Sequence, residues 1–408
     1  MRFAHLADAH LGSWRDLKMR DLSTQTFLKT IDDCINKRVD FIIFSGDLFN
    51  TSLPSLDILK IVTKKLKQLQ QQDIPFYAIP GSHDFSPSGK TMIDVLENAG
   101  LLVNVCKGSV DPETKQLNLK FTIDQKTGAK LTGLLGKRGM LDRIYYENLN
   151  LELLEKEPGQ KLFLFHTTLT ELKPKHLEKI ESQPLTFLPK NFAYYAGGHI
   201  HHKTLIKQEG YGTFTYPGAL FPNSFQELEK YSHGGYYLVE DEKIQWIPVK
   251  IMEHLPILLD CAHKPPELIT FDIINPLNHK DLTDTLITIR LSGKLDKGKT
   301  SDIDFKRIFE QLYQQGAYFV MKNTSQLTSA EFEEIKIESV TPEQMEESII
   351  KEHLQQIKLF DKETEFQLTK ILLQTMNTDK NEGETIKDFQ QRIEEELNEI
   401  LSLKEEMT

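Results

Sequence analysis

Five short apolar runs, each followed within two residues by glycine, aspartate or histidine, constrain the fold of this chain most strongly. The runs span 3–7, 41–44, 76–79, 162–165 and 194–196, and they lead into Asp8-Ala9-His10, Gly46-Asp47, Gly81-Ser82-His83-Asp84, His166 and Gly198-His199-Ile200-His201. Apolar runs of this length with such boundaries are typical of buried strands. Ligands of open α/β sheets bind beyond the carboxyl ends of the strands. We therefore expect five strands to deliver Asp and His side chains to one edge of the fold.

Helical patterns separate the first three of these runs. Leucine, isoleucine and valine recur at helical spacing over 22–35 and again over 59–69, after Pro54-Ser55. Strand–helix–strand order predicts right-handed crossovers and a largely parallel sheet. A third helix is predicted over 91–98. Residues 101–250 look richer in strands, with a hairpin over 236–247, so we expect two sheets packed face to face with helices outside.

Composition and charge restrict the class of protein. The 408 residues suffice for two or three domains, and 39% of them are hydrophobic, as in soluble globular proteins. The sequence has no apolar run of membrane-spanning length and no apolar signal segment, so we expect a cytoplasmic or nucleoid-associated protein without a membrane partner. Cys34, Cys106 and Cys261 lie far apart, which speaks against a disulfide framework or a cysteine zinc site.

The net charge of −11 belongs to the C-terminal tail. Residues 331–408 contain 9 Lys and Arg against 21 Asp and Glu, and the preceding 330 residues carry a net charge of +1. The overall acidity therefore does not exclude a nucleic-acid substrate for the body of the chain.

Asp and His are the residue types that bind divalent metals. Two metals about 3.5–4 Å apart can clamp a phosphate ester and lower the pKa of a bridging water, provided that one carboxylate bridges both ions. A single His at a strand end is usually structural and a single Gly-Asp is usually a turn, but five such pieces in order are hard to ascribe to coincidence. Eight other histidines lack this context and are expected to be structural or on the surface, namely His5, His176, His202, His233, His254, His263, His279 and His353.

The order of these motifs resembles that of the calcineurin-like metallophosphoesterases. The strings 6–12 (LADAHLG), 44–49 (FSGDLF) and 197–201 (GGHIH) are similar to those of one DNA-repair branch, the SbcD (Mre-eleven) family. This resemblance covers essentially the whole chain. It implies an α/β fold with a two-sheet β-sandwich nuclease core flanked by helices at 1–255. A small α+β DNA-capping domain is expected at 265–330, and a helical tail at 340–408 that docks a coiled-coil, SMC-like ATPase of the SbcC type.

The resemblance also implies roles for individual residues. One divalent ion, usually Mn²⁺ with Mg²⁺ as the alternative, would be held by Asp8, His10 and His201. A second would be held by His166 and His199, with Asp47 bridging and position 82 contributing. His83 would be the catalytic histidine that contacts the phosphate, and Asp84 would orient it. The implied activity is exonucleolytic and endonucleolytic cleavage of DNA at ends, in double-strand break repair.

Two positions depart from the family pattern. Ser82 replaces an asparagine whose carbonyl reaches the second metal, and Asn50 replaces a histidine that helps to position the substrate. We therefore expect a working nuclease with a weakened second metal site. A weakly catalytic or non-catalytic scaffold that holds DNA ends for the ATPase is the alternative, and a phosphatase of small molecules is a third hypothesis.

Partner surfaces are less visible in the sequence. Lys137, Arg138, Arg143 and Lys203 lie nearest to the motifs and are candidates for phosphate contacts, although ordinary solvated charge explains each of them equally well. Family members are homodimers, and 56–69 and 92–96 are the expected dimer surface. An apolar stripe over 386–400 packs either on the chain itself or on a partner.

Overall fold

The computed structural model describes residues 1–86, 91–174 and 177–329, and in the C-terminal part residues 346–347, 349–351, 354, 360–381 and 384–402. The chain divides into two compact units, Met1–Ala330 and Glu331–Thr408, which are treated separately below.

The elements are numbered along the chain. The strands are β1 (Arg2–Leu6), β2 (Phe41–Ser45), β3 (Phe76–Ile79), β4 (Val103–Asn104), β5 (Gly108–Val110), β6 (Leu117–Leu119), β7 (Thr122–Ile123), β8 (Lys130–Gly133), β9 (Lys161–His166), β10 (Tyr194–Gly198), β11 (Thr204–Lys207), β12 (Thr213–Tyr216), β13 (Gly234–Glu240), β14 (Lys243–Val249), β15 (Glu253–Asp260), β16 (Thr285–Lys294) and β17 (Phe319–Thr328). The helices are α1 (Leu17–Asn36), α2 (Leu56–Gln71), α3 (Met92–Asn98), α4 (Arg143–Glu147), α5 (Leu151–Lys156), α6 (Phe225–Tyr231), α7 (Pro266–Ile274), α8 (Phe305–Gln314), α9 (Lys362–Met376) and α10 (Ile386–Ser402).

Two six-stranded sheets form the core of the first unit. Their strand orders are β14-β13-β1-β2-β3-β4 and β11-β12-β10-β9-β8-β7. Strands β1 to β4 are mutually parallel, as the alternation with α1 and α2 predicts, and β13 pairs antiparallel with β1 and with β14. The predicted strand runs, the 236–247 hairpin and the α/β fold with two packed sheets are thereby confirmed.

Side chains along β1 point alternately to its two faces, and this alternation shows how the sheets stack. Phe3 points between the sheets, where it packs on Phe41 and Tyr194, whereas Ala4 and Leu6 point toward the cluster that α1 and α2 cover. His5 is fully buried between the sheets and makes hydrogen-bond contacts with Ser45 of one and with Tyr194 and Thr215 of the other. It is a structural residue, as its sequence context predicts.

A third sheet of three parallel strands, β15-β16-β17, has its own apolar core with α7 and α8. Its first strand begins at Glu253, ahead of position 265, where the sequence predicts the small domain to start. The strand contains the apolar run 255–259 (LPILL), but the proline at position 256 weakens this run as a strand signal.

The second unit contains α9 and α10, which pack against each other. Along α10, Phe389, Ile393, Leu397 and Ile400 are half-buried, and Ile386 is exposed. Among the described helices, none combines the length and apolar character needed to cross a membrane. Two of the histidines named in the sequence analysis, His176 and His353, lie outside the described residues.

Candidate metal centre

The motif residues follow the carboxyl ends of five neighbouring strands. Asp8 follows β1, Asp47 follows β2 and Ser82 follows β3, while His166 ends β9 and His199 follows β10. Backbone bonds join the loops of the first sheet, since Asp8 N donates to Gly46 O and His10 N donates to Asp47 O, both at 3.0 Å. The two sheets thus bring their strand ends to one edge, as predicted.

Strained backbone marks this edge. Asp8, His10, Asp47 and His199 have φ values of 52°, 42°, 58° and 82°, in the left-handed region that residues with a Cβ rarely adopt. Such conformations cost about 1–3 kcal/mol each and persist where the surroundings enforce them, which is typical of functional sites. Three of these residues, Asp8, His10 and Asp47, belong to the cluster of possible metal ligands described next, and the His199 ring lies beside it.

Three overlapping groups of side chains offer ligand atoms within 4.8 Å of one another. They are Asp8, His10 and His201; His10, Asp47 and His83; and Asp8, Asp47 and His166. The Nε2 atoms of His10 and His201 face each other at 3.1 Å. Two nitrogens at right angles on one ion, each at about 2.1 Å, lie about 3 Å apart, so this spacing fits a shared cation.

Asp47 is shared by two of these groups, as a bridging carboxylate requires. Its Oδ2 lies 3.1 Å from His166 Nε2, 3.5 Å from His10 Nε2 and 3.3 Å from the Ser82 hydroxyl. Its Oδ1 accepts the backbone N–H of His83 at 2.7 Å, which fixes the carboxylate in place.

The imidazole of His166 is oriented as a ligand. Its Nδ1–H donates to the carbonyl oxygen of Ser45 at 2.7 Å, so Nε2 is the nitrogen that is left to bind a metal once its own proton has been displaced. Nε2 is buried and lies 3.1 Å from Asp47 Oδ2, without a hydrogen bond of good geometry to any described residue. A Cβ at Gly198 would lie 1.9 Å from Ser45 O and 2.7 Å from His166 Nδ1, so only glycine permits this close approach. The buried nitrogen without a well-formed hydrogen bond fits a site built for a metal.

His199 stands apart from the three groups. Its backbone N–H donates to both oxygens of Asp8, at 3.0 and 3.1 Å, and its ring centroid lies 5.3 Å from that of His166. It therefore fixes the Asp8 carboxylate through its main chain and lies beside the second predicted site through its side chain.

His83 and Asp84 have different surroundings from those expected. The Asp84 carboxylate accepts the backbone N–H groups of Leu48, Phe49 and Gly81 at 3.0–3.2 Å and so ties two loops together. Instead of Asp84, the carbonyl oxygen of Asn50 lies 2.8 Å from His83 Nδ1. The predicted orientation of His83 by Asp84 is therefore supplied by the main chain at position 50.

The four residues predicted to contact DNA differ in whether they lie beside His83. Arg138 lies 3.1 Å from His83 Nδ1, where it competes with Asn50 for the same nitrogen. Lys137 donates to the Tyr145 hydroxyl at 2.7 Å and faces the same cavity. Arg143 pairs with Glu147 at 2.7 Å, and Lys203 lies over the Trp246 ring at 4.1 Å. Arg138 and Lys137 are thus the two that adjoin the candidate catalytic side chain.

Two cavities, each of about 320 Å³, adjoin the cluster. One is lined by Ser82, His83, Lys137, Arg138 and His166. The other is lined by His201, His202, Glu227, Lys230 and Tyr231, and both reach His199. The cluster therefore has space for substrate on both its His83 side and its His201 side.

Sequence reasoning missed Glu227, whose carboxylate lies 2.8 Å from His201 Nδ1. The only sequence signal is the Ser224-x-x-Glu227 spacing, which is typical of a helix start. This spacing predicts α6 but does not predict the contact between Glu227 and His201.

The fold and this set of Asp and His donors define a metal-dependent phosphoesterase. Residues 1–203 match the family model of the calcineurin-like phosphoesterases. Three relatives are each described as DNA double-strand break repair protein Mre11. The Methanococcus maripaludis protein is 29% identical over 58% of this chain and 61% of its own length. The Archaeoglobus fulgidus protein is 23% identical over 86% and 84%. The Sulfolobus acidocaldarius protein is 27% identical over 95% and 98%. The chain belongs to the calcineurin-like metallophosphoesterases and, within them, to the Mre11/SbcD family of phosphodiesterases.

Metal affinity is expected to rise with pH. Burial raises the pKa of Asp8 to about 6. Burial alone would lower the pKa of His166, but the Asp47 carboxylate outweighs it and holds that pKa above its usual value. Bound protons at both residues must leave when a metal binds, so acid weakens binding. One displaced proton changes the affinity about tenfold per pH unit. Titrating Mn²⁺ by calorimetry between pH 5 and 7 should give at least this slope, and a flat profile would contradict the proton displacement.

Proposed function

We propose that this chain is a manganese-dependent nuclease that cleaves phosphodiester bonds at DNA ends, exonucleolytically and endonucleolytically, in double-strand break repair. The observation that carries the proposal is the buried Asp–His cluster with a shared Asp47, open to cavities on its His83 and His201 sides. Space on both sides of the reacting phosphate suits a chain substrate that continues in both directions. The curated relatives described as double-strand break repair proteins support the same choice.

We assign different roles in hydrolysis to different side chains. We assign Asp8, His10 and His201 to one ion and His166 and His199 to the other, with Asp47 between them. Such a pair of ions, when bound, supplies a hydroxide at neutral pH and neutralises charge on the phosphate.

His83 then carries the proton for the leaving oxygen. The protonated ring keeps its Nδ1–H on the Asn50 carbonyl, donates its Nε2–H to the leaving oxygen and becomes neutral. Arg138, 3.1 Å from the same ring, adds positive charge beside the phosphate.

Three substrates test this proposal together. Wild-type protein with Mn²⁺ should degrade linear duplex DNA and hydrolyse bis(p-nitrophenyl) phosphate, a diester, and it should leave p-nitrophenyl phosphate, a monoester, largely intact. Hydrolysis of the monoester alone would identify a phosphatase. DNA binding without any hydrolysis, even with the ATPase present, would identify an end-holding scaffold.

Ser82→Asn is expected to tighten the second metal site. The Ser82 hydroxyl is 3.3 Å from Asp47 Oδ2 and lines the His83-side cavity, so a longer side chain has room there. An asparagine carbonyl is the stronger metal ligand, and we expect an affinity gain on the order of tenfold at that site. Ser82→Ala is the matched control and should lower the affinity or leave it unchanged. Equal Mn²⁺ binding by the Asn variant and wild type would refute the assignment of position 82.

We further propose that the helices of the second unit dock a coiled-coil, SMC-like ATPase. Large apolar side chains on these helices remain exposed, among them Met376 and Ile386 at 63% and 70%. Deleting 340–408 should abolish co-purification with an SbcC-type ATPase and leave hydrolysis of bis(p-nitrophenyl) phosphate intact. Undiminished co-purification would exclude this docking site. We also expect a homodimer through α2 and α3, where Leu56 and Val95 are exposed.

A further inference from the structure

Glu227 makes a second contact besides the one to His201, and together they fix its carboxylate. Oε1 lies 2.8 Å from His201 Nδ1, and Oε2 accepts the backbone N–H of Asn223 at 2.8 Å. The Asn223 side chain in turn accepts a hydrogen bond from the Ser13 hydroxyl at 3.1 Å. Both carboxylate oxygens are therefore used, and the carboxylate cannot rotate away without losing a bond.

This contact selects one tautomer of His201. A carboxylate is an acceptor, so His201 must carry its proton on Nδ1 and present the lone pair of Nε2 to the ion that Asp8 and His10 would share with it. Carboxylates in this position orient metal-binding histidines and raise their basicity.

Helix α6, which carries Glu227, also faces the third sheet. Glu229 accepts from Arg290 Nε of β16 at 2.8 and 2.9 Å, and the Arg290 guanidinium lies 5.2 Å from the Phe225 ring centroid. Leu228 is fully buried in one cluster with Leu286 of β16. An ion pair and apolar packing thus both connect α6 to the third sheet.

The end of α6 is tied to the same sheet. The Ser232 hydroxyl, directly after the helix, lies 3.1 Å from His254 Nδ1 of β15, and the other ring nitrogen of His254 lies 2.9 Å from the Thr288 hydroxyl of β16. The start of the helix is fixed by Ser224, whose hydroxyl accepts the backbone N–H of Glu227 at 3.2 Å.

We infer that Glu227 is a positioning residue for His201 and that α6 couples the third sheet to the metal centre. The inference rests on the metal role proposed for His201. A displacement of β16 moves Arg290 and therefore Glu229, and a rigid seven-residue helix transmits this motion to Glu227. Movement of the third sheet would then change how tightly the ion at Asp8, His10 and His201 is held.

Manganese titration of full-length variants tests the positioning role, with free Mn²⁺ followed by electron paramagnetic resonance. Glu227→Ala should weaken the first site roughly 10- to 100-fold, the usual effect of losing such a partner. Glu227→Gln keeps one carbonyl oxygen that can accept from His201 and should restore part of that loss. Wild-type affinity in Glu227→Ala would overturn the positioning role.

The glutamine variant also separates positioning from folding. Glutamine is nearly isosteric with glutamate, so a folding defect confined to the alanine variant does not hide the answer. Because glutamine lacks the negative charge, Glu227→Gln should still bind Mn²⁺ measurably more weakly than wild type. Wild-type affinity in a folded Glu227→Gln variant would show that the charge on the carboxylate does not support His201.

Arg290→Ala tests the coupling across α6. We expect a smaller loss, about two- to tenfold, because this residue acts through the helix. Arg2→Ala removes an Arg–Glu ion pair remote from α6, the more exposed pair with Glu240 at the start of β1, and should leave the affinity unchanged. Equal affinities in Arg290→Ala and Arg2→Ala would overturn the coupling. If wild-type protein binds no Mn²⁺ at all, the proposed function itself is contradicted. Failure of the coupling alone would instead show wild-type protein that binds Mn²⁺ and an Arg290→Ala variant that binds it equally well.

Discussion

Asp47→Asn is expected to lower the rate of DNA hydrolysis roughly a thousandfold. Asp47 belongs to two of the three ligand groups, and its Oδ2 faces both His10 and His166. Loss of a bridging carboxylate removes several kcal/mol of charge stabilisation, and about 4 kcal/mol corresponds to a factor of a thousand. The measurement is single-turnover cleavage of labelled linear DNA at saturating Mn²⁺, alongside the number of ions bound.

A buried carboxylate outside the cluster provides the control for Asp47→Asn. Asp124 is fully buried and accepts hydrogen bonds from Tyr77 and Thr127. Asp124→Asn perturbs a buried carboxylate to a similar degree, so it should change stability without changing the rate by orders of magnitude. Comparable activity losses in the two variants would mean that Asp47 acts through folding.

His83→Gln is expected to lower the rate about 10²- to 10⁴-fold, the range for loss of a general acid or base. Since we assign proton transfer and not metal binding to His83, both Mn²⁺ ions should bind as in wild type. Its ring lies close to His10, with centroids 4.7 Å apart, so the competing role as a ligand must be tested directly. The leaving group provides a second readout. Because p-nitrophenolate departs without a proton, the variant should lose less of its hydrolysis rate on p-nitrophenyl diesters than on DNA.

The opposite pattern would contradict the role of His83. If His83→Gln reduces the number of bound ions and affects both substrates equally, His83 is a ligand. Asn50→Ala keeps the main-chain carbonyl that faces His83 Nδ1, and we expect it to retain near wild-type hydrolysis.

Sequence reasoning found the site because strand ends obey a simple geometric rule. Buried apolar runs and the residues that follow them are read directly from sequence, and parallel strands bring their carboxyl ends to one edge. Asp8, His10, Asp47, His166 and His201 were therefore predictable as one group. Ligands from the two sheets meet there because the sheets pack face to face, which the strand-rich second half of the core also predicts.

Other parts of the site depend on contacts that no local pattern encodes. Glu227 is 26 residues from His201 and meets it only because α6 folds back onto the strand ends. The Asn50 and Ser45 contacts use carbonyl oxygens, which any residue type would provide. The family resemblance implies that Asp84 orients His83, but its side chain accepts hydrogen bonds from three backbone N–H groups instead.

The most direct test of the central claim is the metal content and coordination of the purified protein. Anomalous diffraction from crystals grown with Mn²⁺ should reveal two ions per chain, bridged by Asp47, with Asp8, His10 and His201 around one and His166 and His199 around the other. One ion or none in this cluster at saturating Mn²⁺, or ions bound elsewhere, would contradict the two-metal account.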